Sequence, residues 1–174
     1  MAKVSLRAVK YDNWAIKYAK RQTENMCLLA VRYKGYSLNK IKNQTYKICL
    51  EAVRQDGRAL QLVRDPTHDL CLEAVRQDGY ALEYVENQTE EMCLAAAKWD
   101  GWTLQYVHNQ TEQICLEAVR QDGRALRFVK NQTYEVCLEA AIQFEDAMEF
   151  IQDPDIRRKV RERIEELYYE QNSS

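Results

Sequence analysis

No apolar run in this 174-residue chain approaches the roughly 20 residues needed to cross a bilayer. Residues 1–14 contain no hydrophobic signal core. Both absences point to a soluble, cytoplasmic protein with no membrane contact. Histidine occurs only at His68 and His108, in different repeat phases, and no nucleophile elbow, phosphate loop or metal-spaced cluster appears. No catalytic residue, metal ligand or cofactor is therefore expected, and the chain does not read as an enzyme. Glycine is limited to five residues and proline to two. Their scarcity makes their placement informative. Gly35, Gly57, Gly79, Gly101 and Gly123 are spaced 22 residues apart, and Pro66 and Pro154 lie four such periods apart.

The six cysteines keep the same interval, at Cys27, Cys49, Cys71, Cys93, Cys115 and Cys137. A 22-residue tandem repeat follows, and short repeats bury their apolar faces only by stacking on their neighbours. Stacking argues against disulfides. Equivalent residues on packed helices lie about 9–10 Å apart, whereas a disulfide needs Cα atoms within about 7 Å. Zinc would need converging thiolates. Reduced cysteine, serving as a small buried hydrophobe, is the reading that remains.

Residues 43–64 show the parts of one unit. Asn or Asp at positions 43, 65, 87, 109, 131 and 153 reads as a helix N-cap, followed by proline in two units, so the first helix should begin near Gln44. Glu90 and Glu112, three residues after these caps, would complete capping boxes. Ile48, Cys49, Leu50, Ala52 and Val53 form a broad apolar face, as a helix flanked on both sides requires. Asp56-Gly57 should end that helix, with glycine in the left-handed conformation. A shorter helix follows, with Ala59, Leu60 and Val63 facing inward. The expected fold is all-α: a right-handed-type α-solenoid of seven such units over residues 1–152. Residues 153–174 form a capping helix of the same domain, with Ile156, Val160, Ile164 and Leu167 as its stripe. In unit seven, Phe144-Glu145 replaces Asp-Gly, which suggests a remodelled turn or continuous helix.

The segments NQTEEMCLAAAKWDGWTLQYVHNQT (87–111) and NQTYKICLEAVRQDGRAL (43–60) resemble the helical repeat family called domain of unknown function 4116. The resemblance covers about residues 1–152 and supports the solenoid. It implies a viral, phage or amoeba-associated bacterial setting, and so a protein that binds or inhibits a host or defence factor. It carries no catalytic residues. Two units share CLEAVRQDGRAL identically, which fits both recent duplication and a consensus-designed solenoid with no natural partner.

Function is legible only where the repeat varies. The four Asn-x-Thr sequons are explained by capping. Trp14, Tyr36, Arg58, Tyr80, Trp102 and Arg124 begin the short helices, in the phase expected to be least buried. They are of the residue types enriched in binding hot spots. One α-helical turn on lie Tyr18, Lys40, Leu62, Tyr84, Tyr106 and Phe128, a phase that reads as half-buried packing between repeats or as the second row of a binding stripe. The leading expectation is a scaffold that binds another protein through this stripe, with Tyr84 and Tyr106 included. Charge supplies the alternative. Residues 1–47 hold eleven Lys or Arg against Asp12 and Glu24, whereas residues 48–174 hold fourteen against twenty-five acids. Arg7, Lys10, Lys17, Lys20, Arg21, Arg32, Lys40 and Lys42 would then receive a nucleic acid or an acidic partner. In the column Lys10, Arg32, Arg54, Arg76, Lys98 and Arg120, several cations follow a glutamate by three residues, an in-helix pairing distance. Val4, Leu6 and Val9 mark an uncapped N-terminal face, expected to leave the chain a monomer or a weak homo-oligomer.

Overall fold

The computed structural model describes residues 4–172 and contains no strand among them. Long and short helices alternate. The long ones are α1 (Leu6–Tyr11), α2 (Glu24–Tyr33), α3 (Tyr46–Gln55), α4 (His68–Gln77), α5 (Glu90–Trp99), α6 (Glu112–Gln121) and α7 (Tyr134–Gln143). Each is followed by a six-residue 3₁₀ helix: η1 (Asn13–Tyr18), η2 (Gly35–Lys40), η3 (Gly57–Leu62), η4 (Gly79–Tyr84), η5 (Gly101–Tyr106), η6 (Gly123–Phe128) and η7 (Glu145–Phe150). The 19-residue α8 (Pro154–Asn172) follows η7. The chain falls into two compact units, one ending at Asn87 and the other beginning at Gln88. Within each, contacts join sequence-adjacent helices: α2 with α3 and α3 with α4 in the first, then α5 through α8 in the second.

The Asn-Gln-Thr segment works differently from its sequence reading. The cap is threonine, not asparagine. The hydroxyls of Thr23, Thr67, Thr89, Thr111 and Thr133 accept from the N–H three residues on, and the helices start at the next residue. Helix α3 therefore begins at Tyr46 rather than Gln44, and Glu90 and Glu112 occupy first helical positions instead of completing capping boxes. Glu112 instead accepts from the Thr133 hydroxyl of the next unit at 2.8 Å. Pro66 precedes the Thr67 cap. Only at α8 does the Asp-Pro pair behave as expected: the Asp153 carboxylate caps Asp155 and Ile156, with Pro154 in the first turn.

The glutamine between asparagine and threonine is turned inward. Gln44 donates its amide to the carbonyls of Leu38 (3.4 Å) and Leu62 (2.9 Å), and its oxygen accepts from Arg64 N–H (3.1 Å). Gln22, Gln110 and Gln132 repeat these three bonds to backbone. Each joins one short helix to the next through backbone carbonyl and N–H groups.

No glycine has positive φ, so the left-handed turn does not occur. Glycine is needed for contact instead. A Cβ on Gly57 would lie 2.5 Å from the Ala74 carbonyl oxygen of the next unit, and one on Gly101 would lie 2.3 Å from that of Ala118. Unit seven keeps the turn despite Phe144-Glu145, because α8 rather than another repeat follows it and Glu145 is exposed.

The core is built of the repeating phases. In α3 these are Ile48, Cys49, Ala52 and Val53, followed by Ala59 and Leu60 of η3. All six cysteines are buried free thiols, and burial pushes Cys115 and Cys137 up to about 11. Val160 is wholly buried, with Ile156, Ile164 and Leu167 half-buried beside it, as α8 packs on α7. Of the N-terminal face, Val9 is fully buried in the core rather than presented outward, while Leu6 is 49% exposed.

Candidate interaction surface

Five of the seven short helices are aimed by an aspartate, the exceptions being η2 after Lys34 and η7 after Phe144. The carboxylates of Asp12, Asp56, Asp78, Asp100 and Asp122 accept from the N–H two residues on, which belongs to Trp14, Arg58, Tyr80, Trp102 or Arg124. The expected hot-spot column is therefore held at its backbone. Its side chains are held too. Arg58 Nε donates to Asp78 of the next unit at 2.9 Å and its guanidinium lies 4.9 Å over the Tyr80 ring. Trp102 Nε1 donates to Asp122 at 2.9 Å. Unit seven offers Phe144 where this aspartate would stand. Arg124 accordingly turns back to its own Asp122 (2.8 Å) and lies over the Phe144 ring.

Tyr36, Tyr80 and Trp102 are half-buried by these contacts, contrary to the expectation that this phase is the least buried; Trp14, Arg58 and Arg124 are exposed. The second column is mostly packing between repeats, as its apolar and aromatic content suggested. Lys40, Leu62, Tyr84, Tyr106 and Phe128 are half-buried, and only Tyr18 of that phase is well exposed, at 72%. The reason is helical pitch. A 3₁₀ helix has about three residues per turn, so side chains at i and i+3 eclipse. The outward neighbours of the first column are thus Lys17, Asn39, Gln61, Glu83, Gln105 and Arg127, all exposed.

Arg127 is the member that α-helical spacing overlooks. Trp102 and Phe128 meet edge to face at 5.3 Å, and the Arg127 guanidinium lies 5.8 Å from both rings and 5.4 Å from Phe150. No carboxylate or hydrogen-bond acceptor engages it among the described residues. A planar cation packed on three rings keeps its donors available while losing little freedom on binding.

The carboxylate at the centre of this cluster is electrostatically tuned. Hydrogen bonds from Arg124 hold Asp122 below the usual carboxylate range; burial opposes them, and the Trp102 indole adds to them. A lowered folded-state value contributes stability above the unfolded value of about 3.9, and that stability is lost as pH falls through the folded value. Asp122→Asn should flatten the acid limb of stability, read by urea denaturation from about pH 2 to 6. An unchanged limb would show that Asp122 makes no such contribution.

The basic column pairs forward, not along its own helix. Arg32 reaches Glu51 at 3.0 Å, Arg54 reaches Glu73 at 2.7 Å and Arg120 reaches Glu139 at 3.6 Å, each in the following unit. Such exposed pairs contribute little to stability, because water and salt screen them. Of the basic patch, Arg32 is thereby neutralised locally and Lys40 lies half-buried over Trp14 at 5.0 Å. Arg7, Lys10, Lys17, Lys20, Arg21 and Lys42 are exposed and make no ion pair among the described residues.

Two open grooves beside Gln22 and Gln44 enclose about 170 and 240 Å³, below the roughly 300 Å³ at which ligand pockets begin. Among the described residues no group of three His, Cys, Asp or Glu side chains is placed to hold a metal, and no helix is long and apolar enough to cross a membrane.

Fold and surface together define an all-helical tandem-repeat protein of the solenoid class, built from 22-residue units. Residues 45–88, 68–111 and 89–154 each match the model described as Domain of unknown function (DUF4116). The chain belongs to that family. The repeat pattern continues through α1 and α2, ahead of the matched residues. No curated protein and no solved structure matches the chain.

Proposed function

We propose that this protein is a non-enzymatic scaffold that binds another protein through the outward face of its 3₁₀ helices. The observation that carries this reading is the Trp102–Phe128–Arg127 cluster, an exposed cation held against aromatic rings. Trp and Arg anchors of this kind dominate measured interfaces. In the compact half of the chain that ends at Asn87, Trp14, Tyr18 and Arg58 supply aromatic and arginine side chains, exposed. The setting implied by the family resemblance makes a host or defence factor the partner to look for, with the cytoplasm as the site of action.

Tyr80 and Trp102 are poor test positions, since both also hold the fold. Arg127→Ala and Trp14→Ala are better. With a partner isolated by cross-linking, each should weaken binding by about tenfold or more, measured calorimetrically. Unchanged affinity in both variants, with melting curves like the parent's, would overturn the reading.

The six unpaired cations of the first unit support a second reading, nucleic-acid binding. A fluorescent single-stranded oligonucleotide would then bind with an affinity that falls by orders of magnitude as salt rises from about 50 to 200 mM. Binding that is absent at low salt, or insensitive to salt, removes this alternative.

A further inference from the structure

Helix α8 breaks the repeat, and its outer surface is not that of a solvated cap alone. It has 19 residues against the ten of α7. Beside their junction an open groove of about 530 Å³ is lined by Ile142 of α7, Glu145, and Ile164, Leu167, Tyr168 and Tyr169 of α8. Ile142 is 52% exposed, Tyr168 66% and Tyr169 70%. A cluster of large apolar side chains left open on a helix pair marks an interaction surface.

Charge on α8 says what fits there. Its first half carries Arg157, Arg158, Lys159, Arg161 and Arg163 against Asp155 and Glu162; its second half carries Glu165, Glu166 and Glu170 and no cation. Helical spacing places Arg161, Glu165 and Tyr168 at i, i+4 and i+7, on one ridge about 100° round from the stripe that packs on α7. Other charges of α8 are paired within the helix: Arg158 with Asp155 and Glu162, and Arg163 with Glu166 and Glu170. Arg161 and Glu165 make neither an ion pair nor a hydrogen bond among the described residues. A helix that is basic along one half and acidic along the other is complementary to itself when reversed.

We infer that the ridge Arg161–Glu165–Tyr168, with Ile142, is an isologous interface on which α8 of a second copy lies antiparallel. A two-fold axis between positions 161 and 165 sets Arg161 of each copy against Glu165 of the other, and lays each Tyr168 over the basic first half of the second copy's α8. Isologous pairing of one patch with itself is the commonest route to a homodimer. This surface is separate from the 3₁₀ face, and either assignment can fail without the other.

Sedimentation velocity over a wide concentration range, at low salt, tests it. The parent chain should reach twice its 20.5 kDa mass as concentration rises. Tyr168→Asp with Ile142→Asp, both at exposed positions, should leave the monomer. Arg161→Glu alone and Glu165→Arg alone should each weaken dimerisation by about tenfold or more, since like charges then meet twice. Mixing those two variants should restore the dimer, because every contact in the heterodimer pairs opposite charges. A monomeric mass for the parent at all concentrations overturns the inference. A dimer that both charge reversals leave intact, or a mixture that stays monomeric, overturns it equally.

Discussion

Gly101→Ala is expected to destabilise the second unit by about 3 kcal/mol or more, although alanine is the better helix former. The added methyl would stand 2.3 Å from the Ala118 carbonyl oxygen and 3.2 Å from its carbonyl carbon. Both are backbone, so no side chain can swing away, and the units must separate locally. Overpacking of this kind typically costs about 1–3 kcal/mol, and more where backbone must move. The sign is informative. Because Gly101 has no positive φ, alanine fits its own backbone and by restricting the unfolded chain would otherwise stabilise by about 0.4–1 kcal/mol. A stabilised or neutral variant in urea denaturation would mean that the close approach is not what requires glycine.

Gln110→Ala should cost about 2–4 kcal/mol. Its amide donates to the carbonyls of Leu104 (3.3 Å) and Phe128 (2.9 Å), and its oxygen accepts from Lys130 N–H (2.9 Å) and from the Cys115 thiol (3.8 Å). Alanine removes all of these bonds; the Leu104 carbonyl still accepts from Val107 N–H at 3.1 Å, but a buried backbone group left without a partner costs about 1–3 kcal/mol. Gln110→Glu should be at least as harmful in its ionised form, since a carboxylate cannot donate and would face two carbonyl oxygens. Chemical denaturation of both variants decides the matter: if both are as stable as the parent, water replaces the side chain and the glutamine is no latch.

These two positions also show where reading the sequence stops. The 22-residue spacing of cysteine and glycine makes a stacked helical repeat unavoidable, and the inward phases Ile48, Cys49, Ala52, Val53 and Leu60 are legible from apolar periodicity. Glycine's presence was legible as well, but its cause was not. A helix-ending glycine has the same local sequence whether it turns left-handed or makes room for a neighbour, and only the neighbour's position distinguishes the two. The Asn-Gln-Thr run reads as an asparagine cap, and threonine takes that place because the glutamine before it is drawn inward by carbonyls 6 residues before and 18 residues after it.

The candidate surface was half legible. Trp14, Arg58 and Arg124 lie outward as their phase suggested, but the companion column shifted by one residue because the short helix winds as 3₁₀. Counting three residues per turn would have pointed to Arg127 at once. Its meaning would still have been hidden, since it rests on Phe128 in the same helix, Trp102 one unit back and Phe150 one unit on.

The sequence alone determined the helical class, the length of the unit, the cysteine core and the basic bias of the first 47 residues. All of these follow from composition and period, which need no partner in space. The tertiary structure decided the caps, the reason for Gly57 and Gly101, the forward pairing of Arg32, Arg54 and Arg120, and the identity of the exposed column. Those depend on atoms of the neighbouring repeat, about one period away in the chain, that stacking brings into contact.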